Sequence, residues 1–269
     1  MRRRRASAEI MKVGVLGVIG FFTWIPAILA LNLSLKTPAQ ILRDYWSPPS
    51  PPQWSNYAAA WSYAGRYLTN SLVISSITVV GVLVVASIAA YAFARTRFRG
   101  RRVLYSLIVV LMLIPSLVTL IPRFILVRNM KMLYTWLALV LPYVAAAQPF
   151  TVCLLHNFFA ELPESIIEAA RLDGASEFKI WSTIVLPLSM PIMATAGIMN
   201  IQTTWNQYIW PLLAIRDESM NTITVGLKYL STELAGDYGP LMAAYVLSAV
   251  PLLIVFSIGM RYFVKGVTS

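Results

Sequence analysis

Long uncharged runs alternate with short charged ones along the whole chain. No charge interrupts Val13–Leu35, 23 residues, or Tyr67–Ala94, 28 residues. A helix needs about 20 mostly apolar residues to cross a bilayer, so each of these runs suffices. Further uncharged runs lie at Val103–Pro122, within Met132–Ala160, within Met190–Ile215 and at Tyr238–Met260. The pattern predicts an all-α integral membrane protein with six transmembrane helices. The first run follows a basic block, as a cleaved signal peptide would. A signal h-region is only about 7–15 residues long, however, and no small-residue cleavage site is evident. A retained first helix is expected. Pro115 and Pro122 predict kinks in the third run. Lys36–Arg66 is polar and proline-rich, with SPPSPP at Ser47–Pro52. Its Trp46, Trp54, Tyr57, Trp61 and Tyr63 suit an interfacial belt and predict an ordered external loop.

Composition agrees with the pattern. Hydrophobic residues make up 58% and charged residues 12%, where soluble domains carry about a quarter charged. The net charge of +11 could signal a nucleic-acid partner, and Arg95, Arg97, Arg99, Arg101 and Arg102 resemble a basic patch. Apolar runs on both sides make that cluster a cytosolic loop beside anionic lipid instead, with no nucleic acid. With both termini inside, the inner segments hold fourteen Lys and Arg and the outer ones eight. That bias satisfies the positive-inside rule and places the loop at 161–189 in the cytosol.

That loop is the most amphiphilic stretch of the chain. Glu161, Glu164, Glu168, Asp173 and Glu177 are five of the eleven acids. Pro163 suits the first turn of a helix, and acids near its start favour the N-terminus. Ile166, Ile167, Ala170 and Leu172 form a partial apolar stripe. Asp173-Gly174 breaks the run, Ser176 can cap a second helix from Glu177 to Ile184, and Leu186-Pro187 closes it. Two short helices joined by a tight turn are expected.

Little in the chain could do catalysis. There is no G-x-x-x-x-G-K-[ST] phosphate loop. One Cys, Cys153, and one His, His156, exclude a cysteine-based zinc site and a multi-histidine metal site. The predicted spans contain no acid, whereas proton-coupled carriers usually place acids or histidines within the bilayer. His156 is the one titratable group well inside a predicted span; a packed helix-end histidine is expected there, and a proton-coupled carrier is the rival class. The fifth span is unusually polar. Its Gln202, Trp205 and Asn206 fall near one helical face with Ile209, and Tyr208 is adjacent. A ring beside amides suits a sugar or polyol, and the same groups could instead bond a neighbouring helix. Arg123 could attract an anion at the outer mouth or snorkel to lipid.

The run EAA–DGAS–I-V-L-P resembles the cytoplasmic "EAA" loop of bacterial ABC importer permeases, on Glu168, Ala169, Ala170, Asp173, Gly174, Ala175, Ile184, Leu186 and Pro187. Trp181 stands where that family often has Phe. AAYAFARTRFRGRR and TWNQYIWP are similar to signatures of its carbohydrate branch, the maltose-type G-subunit group. WNQY-WP followed by MNTITVGLK looks somewhat like the glycerol-3-phosphate permeases. The resemblance implies a type I ABC importer permease fold: residues 1–66 as N-terminus, first helix and outer loop, and 67–265 as the permease core. It implies a bacterial inner-membrane subunit, not itself an enzyme, that imports a carbohydrate, with a polyol phosphate such as glycerol-3-phosphate as the alternative. The implied partners are a second permease, two ATPase subunits holding Mg-ATP, and an extracytoplasmic binding protein. No cofactor bound by this chain itself is implied. Glu164, Glu168, Ala169, Ala170, Asp173, Gly174, Ala175, Leu186 and Pro187 would carry the ATPase coupling. Gln202, Trp205, Asn206 and Tyr208 would line the substrate path.

Overall fold

A computed structural model describes the backbone of residues 2–268 and the side chains of residues 12–260. The side chains of the basic block Arg2–Arg5, of Arg261 and of Lys265 lie outside the described residues. Among the described residues the regular structure is all helix, with no strand. In chain order the helices are α1 (Arg2–Ser34), α2 (Pro38–Arg43), α3 (Ser55–Arg95), α4 (Arg101–Leu111), α5 (Leu120–Asn129), α6 (Leu137–Glu161), α7 (Glu164–Leu172) and α8 (Glu177–Ile180). A π-helical turn (Trp181–Val185) leads into α9 (Leu186–Leu188), α10 (Met190–Trp205) and α11 (Ile209–Ala214), then α12 (Ile223–Glu233) and α13 (Tyr238–Thr268).

Among the described residues, four stretches are long and apolar enough to cross a membrane unbroken: Lys12–Ser34, Ser55–Arg95, Leu137–Glu161 and Tyr238–Met260. A fifth candidate is bent by 80° where Glu177–Leu188 meets Met190–Trp205. The predicted third span departs from expectation. Instead of one helix over Val103–Pro122, α4 stops at Leu111 and α5 starts at Leu120. At about 1.5 Å per residue, an eleven-residue helix is too short to cross alone. The cause is Pro115, which disfavours helical backbone at Ile114. The chain ahead of it tightens into i→i−3 bonds, Met112 to Val109 at 3.1 Å and Leu113 to Val110 at 3.0 Å.

Contacts divide the chain into two units, residues 1–66 with 227–250, and residues 67–226 with 251–269. In the first unit the proline-rich stretch is ordered, but it is shorter than expected, because helix α3 already begins at Ser55. Thr37 and Gln40 form a reciprocal capping box at the start of α2. Lys36 is 1% exposed. Its Nζ donates to the carbonyls of Asp44 at 2.9 Å and Tyr45 at 3.1 Å. Asn56 Nδ2 donates to the carbonyls of Ser34 and Lys36, both at 2.9 Å. Gly239 packs so closely that a Cβ there would lie 2.6 Å from the Lys36 carbonyl. The buried ammonium therefore holds the loop together from inside.

The second unit contains two apolar clusters. One joins Ile74, Val127, Leu139, Tyr143 and Trp210. The other joins Ala90, Phe159, Ile167, Ile180 and Val185, bringing the ends of α3 and α6 onto α7, α8 and the π turn.

Replacing Lys36 with Met should leave the Asp44 and Tyr45 carbonyls without their charged donor. Hydrogen bonds to charged groups contribute about 1.5–3 kcal/mol each. The detergent-solubilised variant should melt several degrees lower and be cut faster by protease within residues 44–54. An unchanged melting temperature and cleavage rate would contradict this role.

Candidate coupling loop and membrane cleft

The amphiphilic loop forms the two expected short helices and the turn between them. Glu164 opens α7, Pro163 caps it, and the chain turns at Asp173-Gly174. Gly174 has φ +80°, a conformation that favours glycine. Ser176 caps α8 by accepting from the Lys179 N–H at 3.3 Å. Leu186-Pro187, however, does not close the second helix. The helix runs on to Leu188, and the 80° bend falls at Ser189. A widened turn precedes the proline, in which the Leu186 N–H reaches the Trp181 carbonyl. That extra width gives room to a proline ring that would clash with the carbonyl four residues earlier in a regular helix.

One face of the loop is fixed to the helix ends. Ile167 and Ile180 are buried and Ala170 nearly so. Ile166 and Leu172, expected on the same stripe, point outward instead, at 42% and 89% exposed. Arg95, at the end of α3, makes the central polar contact. Its Nε donates to the Phe159 carbonyl at 2.8 Å, its Nη2 to the Leu162 carbonyl, and its Nη1 to Glu164 Oε2 at 2.5 Å. These bonds satisfy carbonyls at the C-terminal end of α6, which lack helical partners. Arg171 then bridges the turn, with Nε on Glu177 Oε1 at 2.8 Å and Nη2 on the Arg95 carbonyl at 3.0 Å. The bond to Glu177 raises the pKa of the Arg171 guanidinium, keeping it charged. The Tyr91 hydroxyl donates to Glu177 Oε2 at 2.6 Å.

Of the residues predicted for coupling, Glu164 lies in this network, Ala170 packs inward, and Ala175 and Leu186 are half-buried. Glu168, Ala169, Asp173, Gly174 and Pro187 are exposed. Tyr91, Arg95, Arg171 and Glu177 were not on the predicted list. The sequence carried one usable signal for them, opposite charges at Arg171 and Glu177 on either side of the Asp173-Gly174 turn.

A cleft opens elsewhere in the same unit, where prolines free carbonyls. Pro142 has no N–H for the Ala138 carbonyl, and Trp210 Nε1 bonds that carbonyl at 2.9 Å. The Gln207 carbonyl, in the break between α10 and α11, accepts from the Thr224 hydroxyl at 2.5 Å. Because Pro211 is tolerated only in the first turn of a helix, α10 ends at Trp205 and α11 starts afresh at Ile209. The expected helical face therefore does not extend to Ile209. Among the predicted path residues, Gln202, Asn206 and Tyr208 are exposed, and Trp205 is buried. None of the four lines the cleft of about 340 Å³ beside them, which takes Asn200, Thr203, Thr204 and Gln207 from the same stretch. His156 packs at the end of α6, its ring 4.2 Å from that of Tyr105.

Residues 82–269 match the family described as "Binding-protein-dependent transport system inner membrane component". The chain belongs to this family. It is 34% identical over 249 residues, 91% of this chain and 82% of the relative, to the diacetylchitobiose uptake system permease protein NgcG of Streptomyces coelicolor. It is 32% identical to the sn-glycerol-3-phosphate transport system permease protein UgpE of Yersinia enterocolitica, covering 82% of each. A solved bacterial ABC transporter involved in the import of the acidic polysaccharide alginate has a chain of the same fold. There the TM-score is 0.84 at 25% identity, covering 96% of this chain and 97% of that one. The fold is that of a type I ABC importer permease.

The ion pair between Arg171 and Glu177 is partly exposed, at 35% and 48%, so Arg171→Ala should cost no more than about 1 kcal/mol. Arg95→Ala removes the charged donor from two carbonyls and a carboxylate, and should cost more than about 2 kcal/mol. Thermal melts of the purified variants should rank them in that order. The reverse order would contradict the central position of Arg95.

Proposed function

We propose that this chain is one membrane subunit of an ATP-driven, binding-protein-dependent carbohydrate importer, and that it receives the ATPase at its amphiphilic loop. One observation carries this reading. The loop buries Ile167 and Ile180 against the helix ends while presenting Leu172 at 89% and Phe178 at 71% exposed on either side of the Asp173-Gly174 turn. Exposed apolar side chains flanking a rigid turn suit a partner with an apolar cleft. The excess of Lys and Arg on one side supports placing this loop and both termini in the bacterial cytosol, with the chain in the inner membrane.

In this reading Glu168, Ala169, Asp173 and Gly174 contact one of two ATPase subunits, which hold Mg-ATP. A second permease completes the pathway, and an external binding protein delivers the sugar. Closure of the ATPase pair pushes α7 and α8. Because Arg95, Glu164, Arg171 and Glu177 bind that loop to the ends of α3 and α6, the push moves the helices with it. The widened turn at Trp181–Val185 and the bend at Ser189 carry the motion into α10. Two similar proteins support the carbohydrate class, one a diacetylchitobiose uptake permease and the other from a transporter involved in alginate import.

Leu172→Asp combined with Phe178→Asp alters two exposed side chains and should leave the melting temperature of this chain unchanged. Affinity purification through this chain should then recover at least about tenfold less ATPase subunit than wild type does. Gly174→Pro, which cannot adopt φ +80°, should insert normally yet lose substrate-stimulated ATP hydrolysis. Undiminished ATPase recovery from the double variant, with normal uptake by Gly174→Pro, would contradict the proposed docking site.

A further inference from the structure

The cleft of about 340 Å³ contains a cation without a counter-charge. Arg123 lies on its wall and also on that of an adjoining, mostly apolar cavity of about 490 Å³. Neither cavity is lined by an Asp or Glu. Among the described residues Arg123 makes no ion pair, and its Nε is buried without a hydrogen-bond partner. Its guanidinium stacks over the Trp210 ring at 4.2 Å, which orients it but does not neutralise it. Tyr143 lines the same cleft, 6% exposed, with its hydroxyl also unpartnered. Two buried donors left unsatisfied in one cleft are costly unless a ligand meets them.

Their surroundings suggest what that ligand carries. Asn200, Thr203, Thr204 and Gln207 add amides and hydroxyls to the smaller cavity. Pro149 deprives the Ala145 carbonyl of its helical donor, and both residues line the larger one. That carbonyl can accept from a hydroxyl. Each cavity is within the usual range for small-ligand sites, about 300–1,000 Å³.

We propose that this cleft is an oxyanion-selective substrate site: Arg123 and Tyr143 bind the carboxylate of an acidic sugar or the phosphate of a polyol phosphate, while neighbouring amides and the Ala145 carbonyl bond its hydroxyls. The proposal rests on the importer reading and narrows its substrate class. A guanidinium presents paired N–H groups matched to either oxyanion, and a phenol O–H adds a third donor. A neutral sugar would leave the charge unmet.

The test uses the whole importer complex, purified through this chain, in nanodiscs of zwitterionic lipid. Saturation-transfer NMR would be recorded with D-glucuronate, sn-glycerol 3-phosphate and D-glucose as probes. Wild type should show signal from at least one of the two anions and about tenfold less from glucose; which anion responds separates carboxylate from phosphate. Arg123→Gln should reduce the anion signal about tenfold, and Arg123→Lys should restore part of it. Tyr143→Phe keeps the ring and removes an unpaired hydroxyl, so it should fold at least as well as wild type yet weaken the anion signal severalfold. Glucose signal equal to that of the anions, no signal from any probe, or anion binding indifferent to Arg123→Gln and Tyr143→Phe would overturn the proposal. So would an anionic lipid that co-purifies with wild type and is lost from Arg123→Gln. Failure of the importer reading would look different: no ATPase subunit in the complex and no ATP-dependent uptake of any sugar.

Discussion

The second unit depends on one guanidinium. Arg95 ends a 41-residue helix and reaches two carbonyls at the end of α6 and the first carboxylate of α7. Its side chain is 5% exposed, so these bonds form largely away from water, where leaving them unmade is expensive. Without them the C-terminal end of α6 would have orphan carbonyls, and the amphiphilic loop would keep only its apolar contacts, the Tyr91–Glu177 bond and the bond from Arg171 to the Arg95 backbone. With them, α3, α6 and the loop share a single joint. Arg171 extends that joint across the Asp173-Gly174 turn to Glu177, and through Glu177 to Tyr91.

Proline sets the geometry of the cleft in the same unit. Pro115 divides the third apolar run, Pro142 and Pro149 lie inside α6, and Pro211 stands in the first turn of α11. Inside α6 each proline removes a backbone donor and so frees a carbonyl. Trp210 meets the one at Ala138. The Trp210 ring that does so also supports Arg123. The amides and hydroxyls gathered in the cleft have no apolar reason to be buried.

Much of this was legible in the chain. Uncharged runs located the four unbroken spans because hydropathy over 20 or so residues is a strong signal. Much of the loop was legible, with Gly174 and Ser176 each taking the backbone position its chemistry favours, while Pro163 stands just ahead of the first turn of α7 rather than in it. Other features were hidden. Proline predicts that a helix is disturbed, but not whether the helix continues through it, as at Pro142, or divides, as at Pro115. The widened turn before Pro187 has no local signature. Arg95 looked like one of five cytosolic arginines, because its partners are backbone carbonyls, which a sequence does not distinguish. Tyr143 sits in an uncharged run with nothing to mark it; only its packing shows a buried hydroxyl without a partner.

Hydrogen exchange measured by mass spectrometry on the purified chain, wild type against Arg95→Gln, tests the shared joint most directly. Local opening free energies appear as exchange rates segment by segment. The account predicts that amides across 159–180 exchange together about tenfold faster or more in the variant, equivalent to about 1.4 kcal/mol, while amides in the middle of α3 do not change. Unchanged exchange across 159–180 in a variant of intact fold would show that the loop is held without Arg95, and would contradict the account.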